Sequence, residues 1–169
     1  MRIKGLSQVG MAVKDLRKSL WFYNEILRFP IISVKELSSG VIDEVYGLKK
    51  DQKVKFALLR TGWGTIIELF EMPHLKKEAK ADSDRPAMTH IALDVGNIKG
   101  AKRRLAKAGI DPVSGPMVVE GTEVMFLKDP DGHLVELIDM GVFYYVNRYI
   151  GSVVGRLISR AKYGDLDKI

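Results

Sequence analysis

The sequence contains the same pattern twice. Leu6-Ser-Gln-Val-Gly-Met-Ala-Val13 lays over Met88-Thr-His-Ile-Ala-Leu-Asp-Val95, which sets Gln8 on His90, Val9 on Ile91, Gly10 on Ala92 and Met11 on Leu93. At the far end of each copy, Thr65-Ile-Ile-Glu-Leu-Phe-Glu-Met72 lays over His133-Leu-Val-Glu-Leu-Ile-Asp-Met140, which sets Glu68 on Glu136. A repeat that matches at both ends constrains the fold more than any local pattern, because both copies must carry the same elements in the same order.

Each copy reads as strand, helix, strand, strand, strand. In the first, residues 6–13 alternate like a half-buried strand. Asp15 follows as a helix cap, and Leu16, Leu20, Tyr23 and Leu27 recur at helical spacing until Pro30 stops the helix. Ile31 to Val34 is β-branched and strand-like. Lys53 to Leu59 and Thr65 to Phe70 form a hairpin around Gly62-Trp-Gly64. In the second copy, Asn97 caps a helix carrying Ile98, Ala101, Leu105 and Ala108, which Gly109 ends. Three strand-like runs follow, Pro112 to Val119, Glu123 to Leu127 and Leu134 to Ile138, with Asp129-Pro-Asp-Gly132 as the turn before the last. The expected organisation is a first βαβββ module over 1–72, a charged linker over 73–87, a second module over 88–140, and a helix with tail over 141–169. The first copy is longer because of a loop at 36–52.

The repeat also organises the chemistry. Gln8 and His90 stand on first strands, and Glu68 and Glu136 on last strands, where alternation turns each glutamate away from its apolar neighbours. As surface charges these would need no partner. If the two copies pack by pseudo-symmetry, the four side chains converge, and two carboxylates with an imidazole in one cleft call for a cation. Three oxygens and one nitrogen favour one divalent metal ion in octahedral geometry, with two positions left for water or substrate. A closed tetrahedral structural zinc site is a poor match. Open positions imply chemistry: polarising a carbonyl while a carboxylate moves a proton. Gln8 is either a ligand or the one position where the site has been given up. His133 reads as part of the turn, His74 as linker and Trp63 as a hairpin tip or dimer contact. Val45 and Tyr46 either cover the mouth of the site or belong to a solvated loop.

Composition removes other classes. The 169 residues contain no cysteine, so disulfides, thiolate metal sites and cysteine nucleophiles are excluded. The net charge of +6 is spread along the chain with no basic block interleaved with aromatics, so no nucleic-acid partner is expected. No run approaches the roughly 20 apolar residues of a membrane span. No leader pattern is read at Met1-Arg-Ile-Lys-Gly5, and a cytoplasmic location is expected.

Several motifs in order carry a resemblance: Val9-Gly-Met-Ala-Val-Lys-Asp-Leu16, Ser19-Leu-Trp-Phe-Tyr23, Ile67-Glu-Leu-Phe70, Thr89-His-Ile-Ala-Leu93 and Asp129-Pro-Asp-Gly-His-Leu-Val-Glu-Leu137. Over about residues 5 to 140 the chain resembles the vicinal oxygen chelate superfamily of glyoxalase I, bleomycin-resistance proteins, methylmalonyl-CoA epimerase and extradiol dioxygenases. The resemblance implies an α+β fold, two tandem βαβββ modules forming a cupped mixed sheet around one divalent metal, and a homodimer. Animal-type glyoxalase I has glutamine, glutamate, histidine and glutamate as ligands, the set Gln8, Glu68, His90 and Glu136. Extradiol dioxygenases would need histidine at position 8 or 68, and the epimerase has histidine first and glutamine second.

By analogy with that family, Glu136 or Glu68 is the general base. The implied reaction is that of a lactoylglutathione lyase, proton transfer through a metal-bound enediolate, on a small molecule with adjacent oxygens. The arginine and asparagine that grip glutathione in that family, four residues after the first and second ligands, are here Ala12 and Met72. A different thiol is therefore open. So are another enzyme of the superfamily and a non-catalytic binding or resistance protein.

The tail stands outside the repeat. Phe143, Val146, Ile150, Val153 and Leu157 are three and four apart, an amphipathic helix with Arg148, Arg156, Arg160 and Lys162 off the stripe. Such a helix packs on its own domain or on a second subunit, and a basic one can also lie on a membrane surface.

Overall fold

A computed structural model describes residues 5–38, 53–62, 64–72, 88–151, 153 and 155. The linker at 73–87, the loop residues Val45 and Tyr46, His74, Trp63 and the end of the tail lie outside these residues. The chain divides into two compact units, one of 1–89 with 128–134, the other of 90–127 with 135–169.

The first unit begins with β1 (Gln8–Val13) and α1 (Leu16–Leu20). Asp15 caps α1, accepting the backbone N–H of Lys18 at 3.1 Å. The helix then widens into a π-helical stretch, Trp21–Ile26. The sequence spacing predicts a plain helix burying Leu16, Leu20, Tyr23 and Leu27. The widening instead buries Leu16, Ser19, Phe22 and Tyr23, with the last two rings edge to face at 5.0 Å. Helical turning ends before Pro30: Arg28 takes a positive φ of 65°, and the Phe29 N–H returns to the Tyr23 carbonyl at 3.0 Å.

Three strands complete the module: β2 (Ile31–Ser38), β3 (Lys53–Arg60) and β4 (Ile66–Glu71). They form a mixed sheet in the order β1-β4-β3-β2, with β1 and β4 parallel. The helix packs on the face that carries Met11, Val13, Ala57, Leu59, Ile67 and Leu69, all buried. Glu71 stands on that face too and accepts the first N–H of α1, from Leu16, at 2.8 Å. The opposite face carries a second apolar cluster of Val54, Phe56, Phe70 and Met72, bordered by Ala12, Leu37 and Leu58.

The second unit repeats this order: β5 (Ile91–Asp94), α2 (Ile98–Lys107), β6 (Met117–Val119), β7 (Thr122–Lys128) and β8 (Leu134–Asp139). Its sheet runs β5-β8-β7-β6, with β5 and β8 parallel. Asn97 caps α2 by accepting the Gly100 N–H at 2.8 Å, as its position predicts. Ile98, Leu105, Met125, Leu127, Val135 and Leu137 form the core. The strand expected over 112–119 is shorter, because Pro112 and Pro116 offer no N–H to a ladder. Only Met117–Val119 pairs, turning at Glu120 and Gly121 with φ of 48° and 80°, the left-handed pair of a two-residue hairpin. The fold is thus α+β with tandem βαβββ modules, followed by α3 (Val142–Tyr149).

Candidate functional site

Strand register places the repeated residues alike in both modules. In the first, Gly10 is the partner of Glu68; in the second, Ala92 is the partner of Glu136. Gln8 and His90 each stand two residues before that partner, so each is on the glutamate's side of its own sheet. That partner is glycine or alanine and leaves the flank of the carboxylate open.

In the first unit, Gln8 Nε2 donates to Glu68 Oε2 at 2.5 Å. Ile67 and Leu69 are buried on the helix side, which fixes β4 so that Glu68 projects from the other face. Burial alone holds the Glu68 carboxyl above the ordinary carboxylate range. With its Nε2 engaged, Gln8 keeps Oε1 as a second, electron-donating atom.

In the second unit, His90 Nε2 lies 3.2 Å from Glu136 Oε2, with the glutamate side chain 14% exposed and the imidazole 37%. The imidazole meets the Phe126 ring edge to face, with centroids 5.9 Å apart. Val135 and Leu137 are buried on the opposite side of β8 and play the part of Ile67 and Leu69.

These donors fit a divalent cation. Two ligand atoms each about 2.1 Å from one ion and at right angles are about 3.0 Å apart. The separation of His90 Nε2 and Glu136 Oε2 is close to that. An amide oxygen, two carboxylates and an imidazole are also the donor types of an open catalytic centre. The structure pairs Gln8 with Glu68 in one unit and His90 with Glu136 in the other. Among the described residues no three His, Asp or Glu side chains gather as one cluster.

A polar network emerges around Asp129 that spacing did not reveal. The Asp129 side chain is fully buried, and it accepts from Tyr23 Oη at 2.9 Å, His133 N at 2.8 Å and Asp131 N at 3.0 Å, with His133 Nδ1 2.8 Å away. Asp131 in turn accepts from the Lys14 N–H at 3.0 Å and Ser19 Oγ at 3.2 Å. Gly132, with φ of 92°, closes the turn where a side chain would be strained. So the turn 128–134 of the second repeat belongs to the first unit, tied to the start of α1. Burial pushes the Asp129 carboxyl up, but the hydrogen bond and charge of His133 and the bond from Tyr23 outweigh it, and the net shift is down. The hydrogen bond to Asp129 raises His133. Burial, followed by the Asp129 charge, pushes the Tyr23 hydroxyl far up. The signal in the sequence was Ser19-Leu-Trp-Phe-Tyr23 together with Asp129-Pro-Asp-Gly-His133, two motifs whose contact no periodicity shows.

The paired βαβββ modules, with a carboxylate and a polar partner at the same register in each, define a class of duplicated α+β proteins. The chain belongs to the Glyoxalase/Bleomycin resistance protein/Dioxygenase superfamily, whose model matches residues 5–137. It is 32% identical over 130 residues to a probable lactoylglutathione lyase of Synechocystis sp., covering 75% of this chain and 88% of that protein. It is 29% identical to a lactoylglutathione lyase of Neisseria meningitidis, covering 76% and 85%. Among solved structures, a glyoxalase family protein from Bacillus cereus superposes with a TM-score of 0.71 at 20% identity, over 82% of this chain and 95% of that one. The trypanothione-dependent glyoxalase I of Leishmania major superposes with a TM-score of 0.64 at 20% identity, over 91% and 99%.

Proposed function

We propose that the protein is a divalent-metal-dependent lyase of the glyoxalase I type, isomerising the hemithioacetal of an α-oxoaldehyde and a thiol. The observation that carries this is the matched pairing, Gln8 with Glu68 and His90 with Glu136, at one strand register in both modules. Relatives named lactoylglutathione lyase at 26–32% identity support the same reading.

Gln8, Glu68, His90 and Glu136 would hold the ion. When bound, it draws charge from two adjacent substrate oxygens and makes the neighbouring C–H acidic. Glu136, or Glu68 in its place, takes the hydrogen from the carbon bearing sulfur and hydroxyl. The electron pair left behind moves toward the neighbouring carbonyl oxygen, the proton returns to that second carbon, and the hydroxyl proton passes to the oxygen there, which leaves a thioester beside a new hydroxyl. Substrate and product are isomers, so no oxidant enters. The base must be within hydrogen-bond reach of the proton it removes. The buried residues on either side of each glutamate, Ile67 and Leu69 or Val135 and Leu137, give it a fixed platform. Phe126 against the His90 ring holds the imidazole plane.

The thiol need not be glutathione. Ala12 and Met72 stand in the apolar cluster with Phe56 and Phe70, on the face that bears Glu68. Neither side chain offers a cation or an amide to a peptide carboxylate.

The test begins with metal analysis of protein purified without chelator. One divalent ion per chain, lost in His90→Ala and Glu136→Gln, is expected. Folded protein devoid of bound metal would defeat the enzyme reading in favour of a small-molecule binding protein. Hemithioacetal isomerase assays across several thiols, glutathione among them, then identify the substrate.

A further inference from the structure

We propose that the segment from Gly141 onward docks the protein on the surface of an anionic phospholipid bilayer, with its apolar stripe turned toward the acyl chains. The family match ends at residue 137, so α3 is an addition to what the fold requires. The sequence spacing predicts a helix packed on its own domain or on a second subunit. In the chain itself α3 buries none of its residues. Val142, Phe143, Tyr145, Tyr149, Ile150 and Val153 stay between 49% and 69% exposed. An exposed apolar patch of this kind marks an interaction surface.

Val142, Val146, Tyr149 and Val153 recur at spacings of four, three and four, and Phe143 and Ile150, seven apart, widen the stripe. What seats on it is indicated by charge. Between Asp139 and Asp165 the sequence has Arg148, Arg156, Arg160 and Lys162 and no acidic residue. Four of the six tyrosines also fall there, Tyr144, Tyr145, Tyr149 and Tyr163. Tyrosine concentrates where an apolar phase meets water, because its ring favours one side and its hydroxyl the other. The aromatic and aliphatic stripe, a segment with four cationic residues and the absence of acid together match an anionic lipid surface. A second copy matches less well. A two-fold contact sets a patch against itself, so the cations of both chains would meet with no acid in the segment to pair them. Among the described residues no helix is long and apolar enough to cross a membrane.

The test uses the full chain and sedimentation with two kinds of vesicle, phosphatidylcholine alone and phosphatidylcholine mixed equally with phosphatidylglycerol. Binding to the mixed vesicles, little to the neutral ones, and release at high salt are expected. Replacing Arg156 and Arg160 together by glutamine is expected to weaken binding about 25-fold, about fivefold per charge. Tyr149→Ser with Val153→Ser is expected to abolish it. Both residues are exposed, so the variant should melt like the parent, which a thermal scan checks. In a Tyr149→Trp variant, indole emission should shift to the blue on mixed vesicles only. Equal binding to both vesicles, or to neither, overturns the proposal. It is likewise overturned if the serine variant turns a dimer into a monomer while the parent leaves vesicles unbound, and the stripe then belongs to a second copy.

Discussion

Tyr23 Oη donates to Asp129 Oδ2 at 2.9 Å, joining residues 106 apart in the chain. The bond ties the turn of the second repeat to the helix of the first. Removing the hydroxyl in Tyr23→Phe leaves Asp129 its bonds to His133 and two backbone N–H groups, so the cost should be about 1.5–3 kcal/mol. Asp129→Ala leaves the tyrosine hydroxyl, the His133 ring and both N–H groups without their acceptor, and should cost about 3–5 kcal/mol. Urea unfolding of the two variants measures both. Equal costs would show that the tyrosine is the whole of the tie and the turn itself contributes nothing.

The same network sets a pH dependence. His133 is raised above its ordinary 6.5 when folded, so its contribution is complete below that value and fades as pH rises through the higher folded one. Asp129 is lowered below its ordinary 3.8, so its contribution is complete above that value and fades as pH falls through the lower folded one. The advantage of the parent over His133→Asn should therefore be largest between 3.8 and 6.5 and shrink on the alkaline side. The imidazole is 35% exposed, so solvent screening keeps the effect small. Urea midpoints of both proteins across pH are the measurement, and a constant difference through neutral and mildly alkaline pH would sink the assignment.

How much of this was legible beforehand depended on the kind of signal. The repeat was legible because two strands with buried alternate residues leave the same trace twice. Gln8, Glu68, His90 and Glu136 follow from it, and parallel pairing of first and last strands puts each polar residue beside its glutamate. The π-helical widening was not legible: Leu16, Leu20, Tyr23 and Leu27 have the period of an ordinary helix, and only packing chooses Phe22 over Leu20. The truncation of β6 was legible in Pro112 and Pro116, whose missing N–H groups outweigh the β-branched residues around them. The tie between Tyr23 and Asp129 is long-range and leaves no period at all. For α3, the spacing gave the helix but not that none of its residues is buried.

Gly10 tests the open flank beside Glu68. Its backbone is in an ordinary region, and a Cβ built there would meet only Phe70 Cε2, at 3.7 Å. The repeat partner is Ala92, so Gly10→Ala should be tolerated and should raise stability by about 0.4–1 kcal/mol by restricting the unfolded chain. Gly10→Leu should instead place a branched side chain between Gln8 and Glu68 and lower metal content while the protein stays folded. Metal analysis beside thermal melting separates the two effects. Full metal loading in Gly10→Leu would mean that Glu68 is not a ligand of the proposed ion.

For the proposed metal site, Gln8 decides between four ligands and a set that has lost one. It is exposed at the start of β1, and its structural bond is the one to Glu68. If it is a ligand, Gln8→Ala should leave the stability of metal-free protein within about 0.5 kcal/mol, as at other surface positions. Metal affinity should nevertheless fall by at least about 10-fold, the lower end of what removing even a supporting residue costs. Gln8→His, which gives the first repeat the residue of the second at His90, should keep the affinity. Competition with a chelating dye reads all three proteins on one scale. Unchanged affinity in Gln8→Ala would make Glu68, His90 and Glu136 the whole set, with the amide serving only to orient the Glu68 carboxylate through the bond that Nε2 already makes.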